Sequence, residues 1–154
     1  MDFRISGLPA EDFAGWFEMS EAELGERHAV RRVVDQEHAF PCRISLTDAQ
    51  VGDEVLLINH EHLPVDSPYR SRHAIYIRRG EATFDAVDAV PDMLRRRLLS
   101  VRAFDGDGMM TGCDVVDGRE LEATIASLFA DEKAAYIHAH FARPGCYAAR
   151  IDRA

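Results

Sequence analysis

Two runs of β-forming residues, 98–104 and 109–116, stand on either side of Asp105-Gly106-Asp107-Gly108. Glycines in a short polar link between such runs admit the backbone of a tight turn, so the segment predicts an antiparallel hairpin. Directly after it, Asp117 with Glu120 makes the pattern of a helix N-terminus. Leu121, Thr124, Ile125, Leu128 and Phe129 then recur at helical spacing. That apolar stripe needs a surface to cover, and the neighbouring hairpin supplies one.

The rest of the chain repeats these elements. Residues 2–7, 42–46, 53–63, 73–79, 135–141 and 146–151 read as strands from their alternation and β-branched content. Residues 9–29 read as two helices, the first opening at Pro9 and carrying Phe13, Trp16 and Phe17, the second capped by Ser20 with Glu23. Pro91 opens a short helix to Arg97, and residues 81–90 carry little pattern. The expected fold is α+β: one domain over residues 1–154, a largely antiparallel sheet, an N-terminal helical segment, and one helix of the C-terminal half packed on the sheet. A length of 154 residues suits one such domain.

The net charge is −9, which argues against nucleic acid and anionic membranes as partners, because both need a positive surface. Residues 70–79 nevertheless hold four arginines and no acid, enough for one small anion. Three cysteines without short spacing fit neither a disulfide framework nor a paired-cysteine zinc knuckle. The start of the chain lacks the basic and apolar regions of a signal peptide, and the longest apolar run, residues 55–58, is far too short for a span. The expected compartment is a reducing bacterial cytoplasm.

Chemistry concentrates at a few places. His138 and His140 lie two apart on a strand, so their side chains share a face, about 7 Å apart at their bases. The spacing suits a general base beside a second proton carrier, or two ligands of one metal; it equally suits a half-solvated strand face. His60 and His62 form a second same-face pair, beside Leu56 and Ile58, at a pocket lip or simply bonded at a strand end. Metal binding needs three or four converging ligands, and no metal or cofactor is assigned. Tyr69, Arg70, Ser71, Arg72 and His73 can hold a carboxylate or phosphate, or can fasten the loop to surplus acids. With a two-residue turn, Cys146 would share a face with Phe141 and Ala148, away from the histidines. Cys42, Cys113 and Cys146 read as small buried side chains, and Arg95-Arg96-Arg97 as a solvated face.

Several stretches, taken together, resemble a bacterial family, the domain of unknown function 1203. They include Pro41-Cys42-Arg43-Ile44-Ser45-Leu46, Ser67-Pro68-Tyr69-Arg70, Arg102-Ala103-Phe104-Asp105, Asp114-Val115-Val116-Asp117-Gly118 and Ala142-Arg143-Pro144-Gly145-Cys146. The resemblance spans about residues 3–154. It implies no activity, since the family has none established. His62, Tyr69, Arg70, His138, His140 and Arg143 match its pattern. His60 stands where the family has an aromatic such as tyrosine, and Phe141 where it has a polar residue such as asparagine.

The expected function is therefore binding of a small anionic molecule. His62, His138 and His140 would line a pocket at one end of the sheet, with Tyr69, Arg70 and Arg143 holding the anionic group. Two other expectations stand beside it. One is a non-catalytic interaction module or homodimer; the other is a small enzyme using a histidine base or a histidine-bound metal.

Overall fold

A computed structural model describes residues 2–154. The strands and α-helices run in the order β1 (Phe3–Ser6), α1 (Glu21–Glu26), β2 (Val30–Val33), β3 (Pro41–Cys42), β4 (Thr47–Asp48), β5 (Glu54–Leu63), β6 (Ser71–Arg78) and β7 (Asp85–Val87). There follow α2 (Asp92–Arg95), β8 (Leu98–Phe104), β9 (Met110–Asp117), α3 (Leu121–Phe129), β10 (Tyr136–Phe141) and β11 (Tyr147–Arg153). The fold is α+β and mostly antiparallel, with its strands divided between two sheets. One has the order β7-β1-β11-β10-β8-β9, the other β2-β5-β6-β3-β4. The one parallel pairing among the described residues is β3 with β6, through Cys42 and Tyr76. Among the described residues, no helix is long and apolar enough to cross a membrane.

Alternation decides what each sheet buries. Leu99, Val101 and Ala103 of β8, Ile137 and Ala139 of β10, and Ala149 and Ile151 of β11 form one apolar layer. Leu121, Ile125 and Phe129 of α3, with Met93 and Leu94 of α2, cover it. The chain enters α3 close against α2: a β-carbon on Gly118 would stand 1.8 Å from the Leu94 carbonyl oxygen. The second sheet packs Leu56, Ile58, Ile75 and Ile77 against Phe13, Phe17 and Leu24.

Three local expectations change. The helix from Pro9 is replaced by two 3-10 turns, Ala10–Asp12 and Ala14–Glu18. Gly15 costs about 1 kcal/mol in a helix interior, and the Ala10 N–H, one of the donors a helix start leaves without a partner, donates to Thr83 Oγ1 at 2.8 Å. Ser20 does cap α1, accepting from the Glu23 N–H at 3.2 Å. Residues 43–46 form a turn between β3 and β4 where a continuous strand was expected; Leu46 has φ +53°. The backbone there bonds in three directions: Arg43 N–H to the Tyr76 carbonyl, and the Arg43 and Ile44 carbonyls to the N–H groups of Leu8 and Phe84. Asp117 caps the 3-10 turn Gly118–Glu120 that leads into α3, accepting from the Arg119 N–H rather than pairing with Glu120.

Candidate functional site

The β10–β11 hairpin positions two of the histidines. Phe141 N–H donates to the Cys146 carbonyl at 2.9 Å, so residues 142–145 form the turn, and it is wider than a two-residue link. His140 then pairs with Tyr147 and Ala139 with Ala149, leaving Ala148 as a bulge. The four-residue link keeps the parity of a two-residue one, and the bulge then turns Ala149 and Ile151 to the core face as well. Phe141, Cys146 and Ala148 thus join the helix-covered core, while His138 and His140 take the other face.

His62 arrives from the second sheet. Pairing of β5 with β6 shifts register between His60 and Leu63, and this parts the expected His60–His62 pair. The His60 ring packs on Phe13 at 5.6 Å. The His62 ring stacks on Tyr147 at 5.3 Å and lies 5.1 Å from His140 and 6.2 Å from His138. Three imidazoles from distant sequence positions therefore gather around Tyr147.

This cluster is largely buried and short of acids. His138 is 3% exposed and His140 1%. Burial pushes His62 down to about 4, His138 to about 2 and His140 to about 3, with the Arg102 charge acting in the same direction on all three. The rings are neutral at physiological pH. His140 Nδ1 lies 3.0 Å from the Gly145 carbonyl, which can only accept, so that nitrogen carries the proton and Nε2 keeps its lone pair. The buried Nδ1 atoms of His62 and His138 have no hydrogen-bond partner among the described residues. Among the described residues, no group of three His, Cys, Asp or Glu side chains is arranged to hold a metal ion.

The other three expected residues lie elsewhere. Tyr69 packs edge-on against Phe104, which stands between it and His138. Arg70 donates to Glu61 at 3.2 Å, and Arg72 lies 3.7 Å from the same carboxylate. Both arginines are fastened to Glu61 of β5, so they do not converge with the histidines. Arg143 sits in the β10–β11 turn, facing a separate cavity.

That cavity has a volume of about 580 Å³ and is lined by Arg43, Arg96, Arg97 and Arg143, with His38 and His73. Leu57, Tyr76, Leu98 and Phe141 supply apolar wall, Cys146 lines it too, and no carboxylate does. Arg43 is 1% exposed. Its Nε donates to the Tyr147 carbonyl at 2.8 Å, Nη1 to the Pro41 carbonyl at 2.7 Å, and Nη2 to Cys146 Sγ at 2.8 Å. None of these partners is a carboxylate, and two of its five N–H groups are left over. Burial, then the nearby Arg97 charge, push the Arg43 pKa down. Arg43 and Arg97 each place a guanidinium 4.9 Å from the centre of the Phe141 ring.

The remaining arginines differ in how they are held. Arg97 is bound by Asp48 at 2.6 Å. Arg96 is bound by Asp92 and lies 3.9 Å from Asp48. Arg143 is exposed and makes no ion pair among the described residues. The Arg95–Arg97 run is therefore not a uniformly solvated face, since Arg97 turns inward, 17% exposed along its side chain. Cys113 also departs from expectation: it is exposed, whereas Cys42 and Cys146 are buried. Arg43 and Arg97 were not expected as site residues. Arg43 lies in the segment Pro41-Cys42-Arg43-Ile44-Ser45-Leu46, but nothing in its spacing marks it as buried.

The family model for a protein of unknown function, DUF1203, matches residues 39–153. The chain belongs to this family. The DUF1203 match contains the three clustered histidines and the four cavity arginines, and residues 1–38 fall outside it. No curated protein and no solved structure matches this DUF1203 chain.

Proposed function

We propose that this protein binds a small organic anion in the cavity beside the β10–β11 turn. Arg43 carries the reading. A fully buried guanidinium that meets no carboxylate, and has a second guanidinium beside the same phenyl ring, holds its charge at a large desolvation cost. An anion entering the cavity supplies the missing counter-charge through charge-assisted hydrogen bonds. The volume of about 580 Å³ suits an organic ligand, within the roughly 300–1,000 Å³ of common small-molecule sites. His62, His138 and His140 lie outside this lining, so the reading is of binding, with no reaction assigned. Free cysteines fit the bacterial cytoplasm as the compartment.

Thermal unfolding with added small molecules tests the proposal. Benzoate, phthalate and phenyl phosphate should raise the midpoint by roughly 2–5 °C near saturation, and neutral benzamide should not. Arg143→Ala, a change at an exposed residue without ion pairs among the described residues, should weaken the response to phthalate and phenyl phosphate and leave the unliganded midpoint nearly unchanged. Flat responses to every anion would falsify the proposal.

A further inference from the structure

The balance of charge around the cavity narrows the ligand further, on the footing of the anion-binding reading above. Four guanidinium groups line it. Asp48 and Asp92 stand behind the wall and serve two of them: Asp48 bonds Arg97 at 2.6 Å and Asp92 bonds Arg96. Arg43 and Arg143 are left with no carboxylate. They occupy different stations, since Arg43 is fully buried and Arg143 is exposed in the turn between β10 and β11.

We infer that the ligand is a dianion with an apolar body, its two negative charges answering Arg43 and Arg143. A single charge answers Arg43 and leaves Arg143, at the exposed rim of a lining that offers no acid, to solvent. An inorganic oxyanion meets the charge but fills little of about 580 Å³, and it leaves Leu57, Tyr76 and Phe141 facing water. A dicarboxylate on a ring or short hydrocarbon and an aryl or alkyl phosphomonoester share the required chemistry. Arginine suits either, because its planar fork matches carboxylate and phosphate oxygens.

Calorimetric titration at neutral pH with matched probes separates the possibilities. Phthalate and benzoate share a ring and differ by one carboxylate, and phenyl phosphate places both charges on one group. Phthalate or phenyl phosphate should bind about tenfold more tightly than benzoate, the size of one added charge-assisted contact. Preference for phthalate assigns a dicarboxylate and preference for phenyl phosphate a phosphomonoester. In Arg143→Ala the advantage of the dianion should shrink to about twofold or less, with benzoate affinity retained. Equal affinity for benzoate and both dianions in the unmodified protein overturns the dianion while the anion-binding reading stands. So does a dianion preference that survives Arg143→Ala. No heat with any of the three probes removes the anion-binding reading itself.

Discussion

His138 is surrounded by Phe104, Tyr136, Tyr147 and His140, with ring centres 5.0–6.4 Å away. Such a site favours the neutral ring, and burial holds its pKa near 2 against an ordinary 6.5. The unfolded chain therefore takes up a proton at His138 below about pH 6.5 that the folded chain refuses. Stability at this residue is complete above pH 6.5 and is lost as pH falls toward the folded value. Between about pH 6.5 and pH 5 the loss from His138 alone is roughly 2 kcal/mol. His138→Leu should lack that component, so its urea midpoint should fall less steeply over the same interval. Parallel curves for the two proteins would mean that the imidazole titrates freely in the fold.

At the scale of elements, the joint between β9 and α3 is the tightest close approach in the helix-covered layer. Gly118→Ala sets a methyl 1.8 Å from the Leu94 carbonyl oxygen, a backbone atom that cannot swing aside. Overpacking of this kind costs about 1–3 kcal/mol or more, and chemical denaturation should register it. Gly25→Ala in α1 meets nothing within 4 Å, so it should be neutral or stabilise by up to about 1 kcal/mol. Equal effects of the two changes would contradict the close approach of α2 and α3. The elements also differ in how legible they were. The β8–β9 hairpin and α3 carry their own turn chemistry and apolar stripe, and both formed as expected. Val30–Val33 and Asp85–Val87 became strands only because β5 and β1 offered partners; their short sequences hold no alternation strong enough to announce it. Residues 43–46 failed as a strand for the converse reason, because their backbone groups found partners in three separate segments.

Across the whole molecule, Arg43 joins the two sheets. It leaves the turn after β3 and donates to the Tyr147 carbonyl and the Cys146 thiol at the start of the β10–β11 return. Arg43→Lys keeps the charge but cannot span these partners and Pro41 together. The expected loss is roughly 2–4 kcal/mol, because buried acceptors are left without donors. An unchanged unfolding midpoint would show that the guanidinium does not bind the sheets together. The same residue ties fold to function: its contacts hold the cavity wall in place, and its uncompensated charge faces the cavity.

Local signals in the sequence were enough to establish the α+β class, most strand positions, and the shared face of His138 and His140, because turns, caps and periodicity depend on near neighbours. The site depended on contacts between distant segments. A register shift in β5 sent His62 to His140 and His60 to Phe13, and packing of one sheet on the other enclosed Arg43 while Glu61 drew Arg70 away. Whether an arginine meets a carboxylate or lines a cavity is settled by three-dimensional proximity, and spacing along the chain carries no record of it.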